Sequence, residues 1–113
     1  MGSPITTHVL DTALGRPAAG LAITMLAHDG ERWHEIAAGT TDEDGRISDL
    51  LAPGALGAGD YRMMFDTGSY MAEAKREVFY PRVTIDFRIS ASDQHYHIPL
   101  LLSPFGYTTY RGS

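Results

Sequence analysis

The sequence predicts an all-β sandwich of about eight strands with one short helix. Three observations carry that expectation. Short runs alternate apolar and polar residues with period two, as in Val83-Thr-Ile-Asp-Phe-Arg-Ile89. Compact turn signals separate the runs, among them Asp29-Gly30 and Asp42-Glu-Asp-Gly45. Only the stretch from Tyr70 to Val78 has helix-forming composition.

The elements follow in order. Ile5, Thr7 and Val9 alternate with Thr6, His8 and Leu10, which reads as a half-buried strand. Leu14-Gly-Arg-Pro17 is a turn, because glycine and proline punctuate it. Leu21, Ile23, Met25 and Ala27 mark the next strand. Asp29-Gly30 then turns the chain into a returning strand over Trp33 to Ala38. The acidic turn at 42–45 places Arg46 at the entry of the following segment. Glycine content makes 51–59 a loop, and Tyr61 to Asp66 resumes a strand. The helix is expected over Tyr70 to Val78 and ends before Tyr80-Pro81. The strand at 83–89 follows, then a turn from Ser90 to Gln94. Tyr96 to Leu102 and Tyr107 to Tyr110 are the last two strands. Pro99 cannot donate to a ladder, so its position should face an edge, a bulge or a subunit boundary.

With 113 residues and no composition break, the chain reads as one domain spanning 1–113. There is no cysteine, which excludes a disulfide framework and thiolate metal sites. A net charge of −5, with Lys75 the single lysine among nine Lys and Arg residues, argues against nucleic acid as a partner. No apolar run approaches the roughly 20 residues that cross a bilayer, so no membrane partner is expected. No charged and apolar leader pattern is visible at the amino end. A cytoplasmic location is therefore expected, with periplasmic or peroxisomal locations still compatible.

His95 and His97 stand at i and i+2, so on a strand both point to one face, roughly 7 Å apart. His8 lies on a strand near the other end of the chain. An imidazole near its own pKa is an efficient general base at neutral pH, and these residues could activate water. Surface histidines are the plain alternative, and they suit His28 and His34 beside the hairpin. A third reading has His8, His95 and His97 holding zinc. Arg46 is either a solvated loop residue or a fixed cation that orients an anionic or carbonyl-rich ligand. The sequence ends on Tyr110-Arg-Gly-Ser113, which gathers a phenol, a guanidinium, a hydroxyl and a terminal carboxylate behind an apolar strand. Such an end is expected to dock on a partner surface as part of a site. Phosphate-loop and Gly-x-Ser-x-Gly patterns are missing, which disfavours P-loop and serine-nucleophile chemistry.

Two blocks at opposite ends resemble the signatures of the transthyretin-like family: His8-Val-Leu-Asp11 with Gly15-Arg-Pro-Ala18, and Tyr96-His-Ile-Pro-Leu-Leu-Leu-Ser-Pro-Phe-Gly-Tyr-Thr108. Thr41-Asp-Glu-Asp-Gly-Arg46 and Phe79-Tyr-Pro-Arg-Val83 also resemble family segments, although Arg82 stands where an acidic residue is frequent. The resemblance covers the whole chain and implies a transthyretin-like (prealbumin-like) sandwich assembled as a homotetramer, with sites in a channel at the dimer–dimer boundary. Tyr110 to Ser113 resembles the signature of the family's enzyme branch, which the hormone carrier lacks. That branch opens the six-membered ring of 5-hydroxyisourate to 2-oxo-4-hydroxy-4-carboxy-5-ureidoimidazoline in urate (purine) degradation. The resemblance implies catalytic roles for His8, Arg46, His97 and Ser113, with His8, Arg46 and Tyr110 at the substrate. It implies no cofactor and no metal, and it carries no role onto His95. His8 is the expected base, oriented by Arg46, while His97 and Ser113 pass a proton to the leaving nitrogen. The two histidines could exchange these roles and can titrate as one unit. The other reading of the resemblance is a small-molecule carrier without catalysis.

Overall fold

A computed structural model describes residues 3–91 and 93–112. Among them lie nine strands and one helix: β1 (Ile5–Asp11), β2 (Arg16–Pro17), β3 (Ala22–His28), β4 (Trp33–Thr40), β5 (Arg46–Ile47), β6 (Gly59–Phe65), α1 (Thr67–Glu73), β7 (Val83–Ile89), β8 (Tyr96–Ser103) and β9 (Gly106–Thr109). One sheet runs β2-β1-β8-β9 with β5 paired to β1, and the other runs β4-β3-β6-β7. The apolar faces of the two sheets meet. Ile5 and Val9 of β1 and Leu100 and Leu102 of β8 are fully buried, as are Met25, Met63, Phe65 and Val83 of the second sheet. The period-two pattern thus turns one face of each strand inward and leaves Thr6, His8 and His97 on the outer face.

β1 and β8 are parallel neighbours although about ninety residues separate them, with Thr6 opposite His97 and His8 opposite Pro99. The buried Thr7 hydroxyl donates to the Ile98 carbonyl at 2.6 Å and fixes that register. The remaining pairs are antiparallel. β2 and β5 are two residues each, too short for periodicity to reveal; β2 comes from the segment read as a turn, and β5 starts at Arg46, just after the 42–45 turn.

The helix starts three residues earlier and ends five residues earlier than composition places it. Asp66 caps it, its carboxylate accepting from the Ser69 N–H. Lys75 adopts a left-handed φ of 56°. The Lys75 and Arg76 N–H groups return to the carbonyls of Ala72 and Met71, which ends the helix. Arg76 then reaches Asp11 at the end of β1, with Nη1 2.5 Å from Oδ2. Tyr70 donates to the same oxygen at 2.7 Å, and the Leu14 N–H to Oδ1 at 3.1 Å. Burial pushes the Asp11 carboxyl up, but the hydrogen bonds from Arg76, Tyr70 and Leu14 outweigh it and hold its pKa below the ordinary value. This buried pair ties the helix to the strand that carries Thr6 and His8.

Candidate active site

The 42–45 turn delivers Arg46 to His8. The Asp42 carboxylate accepts from the N–H groups of Asp44 and Arg46, at 2.9 and 3.0 Å. The Asp42 N–H donates back to the Arg46 carbonyl. Gly45 has a left-handed φ of 73° and lies against the Val9 carbonyl with no room for a Cβ. Its own carbonyl receives the Val9 N–H at 2.8 Å. Glycine is therefore demanded twice at this position. The result is direct cross-strand pairing of His8 with Arg46 on the outer face of the five-stranded sheet.

His97 enters the same face from β8. Its Nδ1 lies 2.9 Å from Thr6 Oγ1, and the same hydroxyl lies 3.0 Å from His95 Nε2. The strand spacing puts His8 about 8 Å from His97 between Cα atoms, within reach of a small planar molecule held between them. Burial pushes the His97 pKa down, and the charges of Arg46, His8 and His95 push it the same way. His97 is thus held neutral at neutral pH, which is the form that accepts a proton.

The tail returns to β8 directly over His97. The Gly112 N–H donates to the His97 carbonyl at 2.9 Å. A Cβ on Gly112 would lie 2.5 Å from His97 Cδ2 and 3.1 Å from Cγ, so the backbone itself packs on the imidazole. Between this contact and the end of β9 the ladder opens. Continuing the β8–β9 register places Tyr110 opposite Pro99, which has no N–H to give. The Pro99 carbonyl instead accepts from the Thr109 hydroxyl at 2.7 Å. Proline here removes a ladder bond between the end of β9 and Gly112, while the tail keeps the β9 register along β8. Arg111 stacks over the Tyr96 ring at 4.6 Å and donates to Gln94 at 2.9 Å.

The structure brings together His8, Arg46, His97 and the tail at Gly112. Tyr110 borders a different hollow, a cleft of about 240 Å³ shared with Ile85, Phe87, Tyr96, Ile98 and Arg111 between β7 and β8. Ser113 lies outside the described residues. Among the described residues no three His, Cys, Asp or Glu side chains form a metal-holding group. His34 Nε2 donates to the Asp29 carboxylate at 2.6 Å, in keeping with the surface reading. Two participants escaped the sequence reading. Thr6 shares the face of His8 two residues on, but only the parallel register shows that it meets His95 and His97. Gly112 matters through its missing side chain.

An outer sheet face carrying a neutral, anchored imidazole, a second imidazole and a guanidinium can activate water and steady the negative charge that follows its attack. The residue pattern and fold together define a known class of sandwich. The model of the HIUase/transthyretin family matches residues 5–112, and the chain belongs to that family. It is 48% identical to the 5-hydroxyisourate hydrolase of Mus musculus, over 98% of this chain and 96% of the mouse protein. Among solved structures, the Klebsiella pneumoniae 5-hydroxyisourate hydrolase superposes with a TM-score of 0.85 at 38% identity, covering 96% of this chain and 97% of that one. Sea bream transthyretin in complex with thyroxine gives 0.91 at 33% identity, covering 97% and 95%. Backbone shape therefore does not separate enzyme from carrier. Side chains do.

Proposed function

We propose that this chain hydrolyses 5-hydroxyisourate, adding water to a ring carbonyl and breaking the adjacent C–N bond of the six-membered ring to give 2-oxo-4-hydroxy-4-carboxy-5-ureidoimidazoline. The observation that carries this reading is the convergence of His8, Arg46 and a His97 held neutral by burial on one face. It is supported by the hydrolases among the relatives. His97 takes a proton from water, which attacks the carbonyl carbon. Arg46 stabilises the oxyanion of the tetrahedral intermediate. His8 gives a proton to the leaving nitrogen as the C–N bond breaks, and the Ser113 hydroxyl is assigned to the substrate from the resemblance alone. This exchanges the two histidine roles expected from the sequence. The exchange follows from the environment of His97, whose lowered pKa and anchored Nδ1 suit a base.

The site is an open sheet face in one chain, so a second chain is needed to enclose the substrate. Exposed aromatic side chains supply surface for assembly. Phe79 is 59% and Phe105 62% exposed, and with Tyr80 and Tyr107 they form one cluster. A homotetramer accounts for both features. The reading is tested by following freshly generated 5-hydroxyisourate by ultraviolet absorbance. The parent protein should accelerate its decay well above the spontaneous rate, and His97→Asn should lose at least about a hundredfold. A parent indistinguishable from buffer would reject hydrolysis and leave the carrier reading in its place.

A further inference from the structure

Little backbone holds the tail to β8. Beyond Thr109 the ladder loses a bond at Pro99. Among the described residues the next backbone contact is the isolated pairing of Gly112 with His97, where the Gly112 N–H donates to the His97 carbonyl at 2.9 Å. A chain end held by one isolated pair at a sheet edge frays. Arg111 supplies the hold that the backbone lacks. Its guanidinium lies over the Tyr96 ring, with Cζ 4.6 Å from the ring centre, and its Nη2 donates to Gln94 Oε1 at 2.9 Å. Tyr96 is a firm platform. It is 3% exposed, and its hydroxyl donates to the Ala91 carbonyl at 2.9 Å and accepts from the Ala91 N–H at 3.2 Å. It also stands immediately before His97 on β8.

We infer that Arg111 is a positioning residue, which clamps the tail to Tyr96 and Gln94 and so keeps the Gly112 backbone on the His97 imidazole. The inference rests on the hydrolytic reading of the site for its effect on turnover, though not for the clamp itself. Residues opposite each other in an antiparallel pair share a face. Arg111, opposite Ile98, therefore lies on the buried side of β8 with Tyr96. Gly112, opposite His97, lies on the outer side, where a Cβ would meet the ring. Consecutive tail residues thus grip β8 from both faces, one through a side chain and one through the lack of it. With the clamp closed, the His97 ring stays covered and keeps the partial burial that lowers its pKa together with the charges of Arg46, His8 and His95. With the tail lifted, the ring turns freely and meets water, so its pKa rises toward the ordinary value. A stacked cation and a charge-assisted hydrogen bond together weigh about tenfold or more in the docking equilibrium. Arg111 needs no contact with the substrate to do this.

The test uses the full-length protein, with hydrogen exchange at the Gly112 N–H reading the docked tail independently of activity. Arg111→Ala changes an exposed residue beyond the last strand and leaves the core intact. It should speed Gly112 exchange about tenfold or more and lower kcat about tenfold, with KM nearly unchanged. The acid limb of its residual activity should move to higher pH, because the uncovered His97 then takes up its proton earlier. Gln94→Ala alters no charge and should move all three signals the same way by a smaller amount. Added to Arg111→Ala it should change nothing further, since Gln94 acts only through Arg111. Gly112 exchange in Arg111→Ala within about twofold of the parent would overturn the inference. So would a raised KM with parent kcat, which would put Arg111 on the substrate, or an equal effect of Gln94→Ala with and without Arg111. A Gly112 N–H protected in the parent and released in Arg111→Ala, in a parent without turnover, would reject the hydrolytic reading while upholding the clamp.

Discussion

Replacing Gly112 with alanine tests the docking of the tail with one methyl group. The added Cβ would fall 2.5 Å from His97 Cδ2, 3.1 Å from Cγ and 3.2 Å from Cβ. Carbon atoms repel strongly below about 3.4 Å, so either the imidazole shifts or the tail lifts from β8. If the ring moves, it loses its 2.9 Å contact with Thr6. If the tail moves, the 2.9 Å bond from the Gly112 N–H to the His97 carbonyl breaks. The bond contributes about 1 kcal/mol at an exposed edge, so the melting temperature should fall by only a few degrees. Activity should respond far more, since a displacement of about 1 Å at a reacting group costs on the order of a hundredfold. Thermal melts and the ultraviolet decay of 5-hydroxyisourate measure the two effects separately. Turnover at the parent rate in Gly112→Ala would refute the placement of the tail against His97.

Other expectations follow from the same geometry. Arg76→Met leaves the fully buried Asp11 carboxylate without its cation and should cost about 3 kcal/mol or more in urea unfolding, whereas a loss below about 1 kcal/mol would show that the pair holds little. Activity that needs neutral His97 is lost as pH falls through its pKa, which lies below the ordinary 6.5, so the acid limb of kcat/KM should also lie below that value. Arg46→Met removes one of the charges that depress it, and the limb of the residual activity should move to higher pH; an unmoved limb would dissociate Arg46 from His97. Light scattering at micromolar concentration should give about four times the 12.3 kDa chain mass, and a single-chain mass would remove the assembly proposed to enclose the site.

Much of this architecture is legible in the residues because strands with one buried face must alternate. Val83 to Ile89 and Ile5 to Leu10 show the pattern, and Asp29-Gly30 turns where its chemistry demands. The helix was displaced because composition speaks for 70–78, while its limits are set by the Asp66 cap and by Lys75 in a left-handed conformation. Neither signal is compositional. Pro99 was legible as a break in hydrogen bonding, but which side of β8 it would open depended on where the tail returned. The candidate residues were legible singly through resemblance, while their connection was not. Thr6 is an unremarkable strand threonine until a parallel pairing across ninety residues sets it between two imidazoles.

The central claim is that the outer face at His8, Arg46 and His97, completed by the tail, is a hydrolytic site rather than a carrier surface. Deleting residues 110–113 tests it most directly. The strands that supply the burial are untouched, so the circular dichroism spectrum should be unchanged and the melting temperature should fall by only a few degrees. The account predicts that the shortened protein hydrolyses 5-hydroxyisourate at least about a hundredfold more slowly than the parent. A folded, shortened protein turning over substrate at the parent rate would contradict it.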